Sequence, residues 1–256
     1  MVENSGSEGN IPTNLRLLLV LEAMAEAGVP VTPTEINQEL GLPKPTIHRL
    51  FATLESEGFI QREIDGRGYS PGRRLRTMST SILSSLRIRT ARTAILTQLT
   101  ERVGETCNIA LPDRDEMVYL DRVETKWPLR IQLPIGSRVP FYATASGKMY
   151  LSTLDNKHLK SYARTTEYVA NTPSTITSPS VLIEEIERVR EQGFSTDNQE
   201  FMEGMIAVAV PIRESTGRLV STLSVHAPIQ RLPLIEAIKH VGVLNEAAAE
   251  LSTLIS

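Results

Sequence analysis

One short stretch carries nitrogen-bearing side chains at a spacing that suits contact with a polyanion. In residues 44–56, KPTIHRLFATLES, apolar residues recur at i, i+3, i+4 and i+7 from Ile47 to Leu54, the stripe of an amphipathic helix. The opposite side is mostly small and neutral, but its first turns carry Lys44, His48 and Arg49. These donors suit phosphate oxygens and base edges, so the predicted chemistry is hydrogen bonding to a nucleic acid.

The charge distribution supports that partner, although the net charge of −3 alone argues against it. Residues 44–90 hold nine basic and four acidic residues, whereas residues 1–43 hold one and six. A local cationic zone on an acidic chain is the footprint expected of a DNA contact. A solvated basic surface is the alternative, and charge alone does not separate the two.

Motifs for catalysis and metal binding are scarce in the chain. It has neither a P-loop nor an H-E-x-x-H motif, and its four histidines show no metal-ligand spacing. The single cysteine, Cys107, excludes an intrachain disulfide and fits a small core residue in a strand. No apolar run approaches the roughly 18 residues of a membrane span, and no secretory pattern is present. We therefore expect a cytoplasmic protein that is not an enzyme and needs no metal, cofactor or membrane.

The cationic helix follows two other helical patterns. Residues 13–27 form an amphipathic pattern that ends at Gly28, and Thr32, Pro33 and Glu35 form the start signal of a second helix, including a capping box. That second helix stops at Gly41, three residues before Lys44. Two short helices joined by a tight glycine-containing turn predict a helix-turn-helix.

A hairpin pattern directly after the third helix makes the predicted module a winged helix. Phe59-Ile60 and Tyr69 look like strand residues around a DGRG turn. The small outward side of the third helix would then fit between the walls of a DNA groove. The residues predicted to contact DNA are Lys44, Pro45, Thr46, His48, Arg49 and Thr53 on the helix, and Arg62 and Arg67 on the wing. A helical hairpin that docks a protein is the alternative.

The remaining chain divides into a linker and a second domain. We predict a disordered tail at residues 1–12, a winged helix-turn-helix at 13–72, a linker helix at 73–90 and an effector-binding domain at 91–256. No Pro or Gly interrupts residues 73–103, which favours one long helix or two nearly collinear helices. Such a helix suits either the transmission of a domain rotation or a dimer contact.

From Gly104 onward, strand patterns replace the helical period. CNIALPD, EMVYLDRV, PLRIQLP, MIAVAVPI and LVSTLSVHAP read as strands, and three helical patterns lie between or after them, near residues 142–154, 178–193 and 233–254. Grouped strands with a few helices indicate an antiparallel sheet covered on one or both sides. The predicted fold class is therefore α+β, with a C-terminal domain of the PAS or GAF type.

Two stretches of this domain suggest a small-molecule site. In FYATASGKMYL, small residues surround a helix start that Thr144 or Ser146 can cap, where free N–H groups favour an anion. In FSTDNQEFMEGMIAVAVPI, a polar loop with Asp197 and Glu200 leads into an apolar strand. Together they would form an apolar cavity with a few polar groups, although a capped helix and a solvated loop explain them equally well.

The chain resembles the IclR family of bacterial transcriptional regulators over nearly its full length. The resemblance is carried by LPKPTIHRLFATLESEGFI, GYSPGRRL, GETCNIALPD, PIGSRVPFYATASGKMYL and GFSTDNQEFMEGMIAVAVPI, in that order. It implies a DNA-binding winged helix, a linker helix and a C-terminal effector domain. It also implies dimers, or dimers of dimers, on palindromic operator DNA and a small organic acid or aromatic catabolite as the ligand.

The resemblance also implies which residues would line the effector site. Ile131, Val139, Met205 and Ala207 would form apolar walls, Ala145 and Ser146 would offer backbone N–H groups, and Asp197, Ser224 and His226 would be polar walls. Three positions depart from the family's pattern: Pro45 replaces a frequent Ser, Ala207 a frequent Cys, and His226 a smaller residue. Because a histidine can donate to a carboxylate or a phenolic oxygen, we expect an aromatic or hydroxylated acid.

The sequence thus predicts a ligand-responsive DNA-binding regulator, and it does not distinguish repressor from activator. An alternative is an enzyme that acts on a small acid in the C-terminal pocket, with Asp197 and His226 as acid and base and the N-terminal module as a protein-docking surface.

Overall fold

The computed structural model describes residues 11–63, 66, 68–83, 86–128 and 133–254. The chain divides into two compact units, one containing the first four helices and one beginning at Leu86. The tail predicted at residues 1–12 lies almost wholly outside the described residues. No helix in the described part of the chain combines the length and the apolar character needed to cross a membrane.

The first unit contains four helices and a two-stranded sheet. Its elements are α1 (Arg16–Ala27), α2 (Pro33–Leu40), α3 (Lys44–Ser56), β1 (Ile60–Arg62), β2 (Tyr69–Pro71) and α4 (Arg73–Leu83). The strands are antiparallel, and Val31 forms an additional bridge to Tyr69. This is the predicted winged helix-turn-helix, with α1 beginning three residues later than expected.

The capping signals read from the sequence operate as predicted at α2. The Glu35 N–H donates to Thr32 Oγ1 at 3.3 Å, and the Thr32 N–H donates to Glu35 Oε2 at 2.7 Å. Gly41 ends the helix with a φ of 61°, a conformation that glycine adopts without steric cost. The chain therefore turns sharply and enters α3 three residues later.

A small core holds α3 in place. Ile47, Phe51 and Leu54 are buried against residues of α1, α2 and the wing, including Val20, Met24, Ile36 and Ile60. The ring of Phe51 meets that of Tyr69 edge to face, with centroids 5.1 Å apart. The apolar stripe thus faces inward and leaves the opposite side of α3 to solvent.

Two helices occupy the region predicted as linker. Helix α4 ends at Leu83 and α5 spans Leu86–Val103, on either side of residues 84–85, which lie outside the described ranges. Leu96 and Leu99 of α5 are buried in the core of the second unit, so this helix packs as part of that unit. In α4, by contrast, Met78 and Ile82 are exposed.

The second unit is built on a six-stranded antiparallel sheet in the order β5-β4-β3-β8-β7-β6. After α5 its elements are β3 (Thr106–Asp113), β4 (Glu116–Val123), β5 (Arg138–Pro140), α6 (Ala145–Leu151), α7 (Asn156–Thr165), α8 (Pro179–Gln192), β6 (Ser195–Asn198), β7 (Met205–Arg213), β8 (Leu219–Pro228), α9 (Leu234–Ile238) and α10 (Val241–Thr253). The α+β class predicted from the sequence is confirmed.

The two faces of this sheet differ in character. The apolar face packs against α5, α9 and α10 and carries Cys107, Ile109, Ile206, Val208, Leu223 and Val225. The polar face is turned toward α6 and carries Thr106, Asn108, Tyr119, Arg122, Asp197, Ala207, Ser224 and His226. Because side chains alternate along a strand, neighbouring residues of β3 and β8 serve opposite faces.

Several elements differ from the sequence predictions. Asp197 was predicted in a loop, but it lies in the short edge strand β6 and is paired with Ala207. The helix predicted at 233–254 is divided into α9 and α10, and β5 and α7 were not predicted. The central residues of the strand predicted from PLRIQLP, 129–132, lie outside the described ranges. At α8, Ser178 occupies the N-cap position, but its hydroxyl meets Ser180 Oγ at 3.0 Å and caps no backbone N–H.

Candidate functional site

The outer side of α3 is an exposed, cationic surface. Lys44, Pro45, His48, Arg49 and Thr53 are exposed, and Thr46 is half-buried. Pro45 lies in the first helical turn, where its missing N–H removes no intrahelical hydrogen bond. The hydroxyl of Thr53 donates to the Arg49 carbonyl at 2.9 Å and is thus engaged within the helix.

The cations of α3 and of the wing differ in their surroundings. Neither Lys44 nor Arg49 has an ion-pair partner in the part of the chain that the structure describes. Arg62 instead pairs with Glu55 at 3.3 Å, donates to the Tyr69 hydroxyl and stacks over the Tyr69 ring. Arg62 therefore braces the wing, while Arg49 is available to a ligand outside the chain. Arg67 lies outside the described residues.

On the polar face of the large sheet, cross-strand pairing brings the candidate ligand-binding groups into two rows. One row runs from Arg122 through Asn108, Ser224 and Ala209 to Ser195. The adjacent row runs from Thr106 through His226 and Ala207 to Asp197. Residues that are far apart in sequence thus form one continuous surface.

Helix α6 is fixed over one end of this surface. Thr144 caps the helix by accepting the Gly147 N–H at 3.2 Å, and Ser195 Oγ donates to the Ala145 carbonyl at 2.6 Å. A Cβ atom at Gly147 would overlap the backbone of Phe141, so only glycine permits this close approach. Ala145 and Ser146 are therefore held, buried, above the β6–β7 end of the sheet.

A buried ion cluster lies beside the polar face. Lys148 of α6 has no solvent exposure and places its Nζ 2.5 Å from Glu200 Oε1 and 3.3 Å from Glu185 Oε1. Asp197 accepts the Glu200 N–H at 2.7 Å. Burial, reinforced by the charge of Glu200 and opposed by that of Lys148, raises the pKa of Asp197 from 3.8 to about 7. At neutral pH this carboxyl can therefore be protonated and act as a donor.

His226 is a neutral imidazole on the same face. Burial, together with the nearby charge of Arg122, lowers its pKa from 6.5 to about 3. Its Nε2 lies 3.1 Å from Ser224 Oγ, and its ring meets Tyr119 edge to face at 6.1 Å. One ring nitrogen is thus a donor and the other an acceptor, and neither carries a full charge.

The structure brings together most of the predicted effector residues. Asp197, Ala207, Ser224 and His226 share the polar face, and Ala145 and Ser146 lie on the helix above it. Val139 is buried on β5 and pairs with Met117, and Met205 is half-buried at the start of β7. Ile131 lies outside the described residues.

Four residues of this region were not predicted: Asn108, Tyr119, Arg122 and Lys148. The alternation in TCNIA gave a signal for Asn108, because Thr106 and Asn108 alternate with the apolar Cys107 and Ile109. Lys148 has no comparable signal in the sequence, because its carboxylate partner Glu200 is 52 residues away in the chain. Cys107 is buried on the apolar face, as predicted, and burial raises the pKa of its thiol to about 12.

Among the described residues, the structure supports neither a serine nucleophile in a G-x-S-x-G motif nor a metal centre. Residues 68–72, GYSPG, match the G-x-S-x-G pattern, but Ser70 pairs with Gln61 inside the wing, whereas a nucleophile elbow places the serine at a strand-to-helix turn. No group of three or more His, Cys, Asp or Glu side chains among the described residues could hold a metal.

An exposed cationic helix on a winged module, followed by a separate α+β domain, is typical of a DNA-binding transcriptional regulator. Residues 15–63 match the IclR helix-turn-helix domain, and residues 80–253 match the IclR C-terminal domain of bacterial transcriptional regulators. The chain belongs to the IclR family.

Individual relatives agree with this assignment. The probable transcriptional regulator SauR of Cupriavidus necator is 37% identical over 237 residues, which cover 93% of this chain and 94% of that protein. The crystal structure of the Thermotoga maritima IclR is 31% identical, with a TM-score of 0.62, over 94% of this chain and 97% of that one. An IclR homologue from Microbacterium hydrocarbonoxydans, complexed with 4-hydroxybenzoate, is similar in fold at 24% identity, with a TM-score of 0.60, over 93% and 98% of the two chains.

Proposed function

We propose that this regulator binds operator DNA in the cytoplasm through α3 and changes its DNA affinity when a small organic acid occupies the polar face. The observation that carries the DNA-binding part is the exposed guanidinium of Arg49, which has no ion-pair partner in the described part of the chain. Arginines such as Arg138 and Arg190 pair with carboxylates of their own unit. Arg164 on α7 is exposed without an ion pair among the described residues, as Arg49 is, so the position of Arg49 on the third helix of a winged module distinguishes it. A cation kept exposed and unpaired beside Lys44 and His48 suits a phosphate or a guanine edge.

In the proposed complex, α3 lies in the major groove and the wing flanks it. Arg49, His48, Lys44 and Thr46 contact bases and phosphates, while Pro45 and Thr53 line the groove wall. Arg62 contributes mainly by holding the wing in shape, since Glu55 and Tyr69 already engage it. Arg67 is proposed as a backbone contact on the strength of its position in the sequence.

The effector site is proposed at the polar face, between α6 and the β3–β8–β7 part of the sheet. Asp197, Ser224 and His226 offer polar contacts, Ala145 and Ser146 contribute from the helix above, and Ile131, Val139, Met205 and Ala207 provide apolar walls. A protonated Asp197 can donate to a ligand carboxylate, whereas an ionised one would repel it. The relative bound to 4-hydroxybenzoate supports an aromatic or hydroxylated acid from a catabolic pathway.

The proposed working form is a homodimer, or a dimer of dimers. Met78 and Ile82 lie one turn apart on α4 and are 44% and 58% exposed. Two such faces would bury each other in a dimer, which would also present two copies of α3 to a palindromic operator.

The DNA-binding part is tested by one substitution and a matched control. Operator fragments are selected from a random duplex pool, and the affinity is measured by fluorescence anisotropy at several salt concentrations. Arg49→Ala should weaken binding about tenfold or more and lower the salt slope by about one unit. Arg164→Ala, which removes an exposed helical arginine of α7, should leave both unchanged. Equal affinities of the two variants would remove α3 from the interface.

The effector part is tested by thermal unfolding against a panel of small carboxylates. A ligand at a hundred times its Kd adds about 2.7 kcal/mol. For a chain of this size that should raise Tm by about 5–10 °C. The stabilising acid should then change operator affinity. The factor equals the ratio of the acid's affinities for the DNA-bound and the DNA-free protein. An acid that stabilises the protein without changing operator affinity would contradict its role as the effector.

A further inference from the structure

Asn108 lies at the centre of the polar face, between Arg122 on β4 and Ser224 on β8. Its side chain is completely buried, yet neither its Nδ2 nor its Oδ1 has a hydrogen-bond partner in the described part of the chain. Burying an amide in this way is unfavourable, because both atoms have given up water and gained nothing in return. Such a group in a folded protein therefore requires an explanation.

Other buried polar side chains around Asn108 do have partners. Thr106, two residues earlier on the same strand and face, accepts the Thr125 N–H at 3.2 Å, and Thr222 donates to the Ala110 carbonyl at 3.3 Å. Ser224 is engaged with His226. Besides the Asn108 amide, two other buried atoms near the site have no hydrogen-bond partner among the described residues: Ser146 Oγ on α6, above the sheet, and Glu200 Oε2 in the ion cluster. The unpartnered groups thus occur on both walls of the proposed effector site.

We infer that Asn108 is a specificity-determining residue that binds a hydroxyl group of the effector. This inference rests on the proposed function, and it narrows the ligand to a small organic acid that carries a hydroxyl. A hydroxyl can donate to Oδ1 and accept from Nδ2, so it satisfies both amide atoms. A carboxylate can only accept, and would leave Oδ1 without a donor.

The surroundings of Asn108 agree with a neutral, hydrogen-bonding end of the ligand. His226 is paired across strands with Thr106 and is a neutral imidazole, and the Tyr119 ring packs beside it. Arg122 is the nearest cation in the cross-strand register, and it already pairs with Glu124 at 3.2 Å. The ligand's hydroxyl is thus assigned to Asn108, and its carboxylate to the α6 end of the site.

A first test needs no ligand. If Asn108 is kept for a ligand, then Asn108→Leu, which retains the branching at Cγ, should raise the Tm of the ligand-free protein by removing the unsatisfied amide. Thr106→Val is the matched control, and it should lower Tm because the Thr125 N–H loses its acceptor. Asn108→Val, a smaller side chain suited to a strand, guards against overpacking by leucine. Lower stability in both Asn108 variants would give the amide a structural role and overturn the inference.

A second test uses pairs of acids that differ by one hydroxyl: benzoate and 4-hydroxybenzoate, acetate and glycolate, propionate and 3-hydroxypropionate. In the wild-type protein, the hydroxylated member of at least one pair should bind about tenfold more tightly or better, as judged by titration calorimetry. Asn108→Leu should reduce this preference to less than about threefold by weakening the hydroxylated member. Equal binding within every pair, binding by no member, or a preference unchanged in the variant would overturn the inference.

Operator binding separates this failure from failure of the proposed function. The ligand-free wild-type protein should bind selected operator DNA with the salt dependence of several phosphate contacts. Loss of DNA binding in the wild-type protein would refute the regulator proposal. Normal DNA binding combined with no hydroxyl preference would refute only the assignment of Asn108.

Discussion

The two faces of the six-stranded sheet differ in how their side chains are packed and hydrogen-bonded. Adjacent residues of β3 show it: Cys107 packs among apolar side chains beneath α5 and α10, while Asn108 faces the polar side with its amide unpartnered. The same division holds on β8 between Leu223 and Ser224. The alternation of a strand thus lets one segment place an apolar side chain in the core and the next, polar side chain on the opposite face.

The two faces of the sheet differ in their effect on the free energy of unfolding. The apolar face gains from every side chain that it removes from water, about 25 cal/mol per Å². The polar face buries groups such as the Asn108 amide whose hydrogen bonds are incomplete, which reduces stability, and in the proposed function a ligand supplies the missing partners. We therefore expect substitutions on the two faces to act in opposite senses, except where the polar groups already satisfy one another.

The ion cluster at Lys148 is such an exception and should show the largest effect. Replacing Lys148 by Met leaves Glu200 and Glu185 without their buried cation, which should cost about 3–5 kcal/mol of stability in urea unfolding at neutral pH. Lys157→Met on α7, where the side chain is exposed, should change stability by less than about 0.5 kcal/mol. Similar losses in the two variants would show that the buried cluster contributes no more to stability than an exposed lysine.

The second largest loss of stability is expected for Leu223→Ala on the apolar face. Leu223 is completely buried, so its truncation should lower the free energy of unfolding by about 2–5 kcal/mol. Ligand binding by the folded variant should be unchanged, because the side chain points away from the polar face. Calorimetric titration with a stabilising acid measures that property, and a large loss of affinity would show that the two faces are coupled.

Much of this architecture could be predicted from the sequence, because its signals are local. The Thr32–Glu35 capping box, the stop at Gly41 and the apolar stripe of α3 each depend on residues within two turns, and each was read correctly. The long strands β3, β4, β7 and β8 were also visible from their apolar patterns. The short strand β6 was missed, because Ser195–Asn198 is polar and owes its conformation to pairing with β7.

The polar face could be predicted only in part. The family resemblance pointed to Asp197, Ser224 and His226, which the sheet register indeed brings together. It did not point to Asn108: strand alternation in the sequence places this residue on the polar face, but only the structure shows that its amide lacks partners. Lys148 likewise needed the tertiary structure, because a lysine in a helix reads as a solvated residue until its carboxylates are located.

The pH dependence of the free energy of unfolding reports on the environment of Asp197 on the polar face. Its pKa is about 7 in the folded protein and near 3.8 in the unfolded chain, so between these values the folded state holds a proton that the unfolded state has released. Stability should therefore fall as pH rises through this window, by up to about 1.4 kcal/mol per pH unit. Asp197→Asn should remove this part of the slope in urea unfolding at pH 5 to 8.

The comparison with Asp197→Asn is needed because His226 acts in the opposite direction. Its pKa is lowered to about 3, so the unfolded state takes up a proton below about pH 6.5 while the folded state does not, and stability falls as pH falls. The pH profile of the wild-type protein alone would contain the contributions of both Asp197 and His226 to stability. A difference between wild type and variant that stays constant with pH would show that Asp197 is ionised in the folded state throughout.

Ser224→Ala should have the smallest effect on stability. It removes one hydrogen bond between neutral groups, the 3.1 Å contact of Ser224 Oγ with His226 Nε2, for which about 1 kcal/mol or less is expected. Because Leu223 and Ser224 are adjacent, their alanine variants compare the two faces at the same point of one strand. A loss for Ser224→Ala as large as that for Leu223→Ala would mean that the polar face is a second structural core. A small loss accompanied by a change in the His226 tautomer, seen in the ¹⁵N shifts of its ring, would assign Ser224 to the control of that ring's donor and acceptor positions.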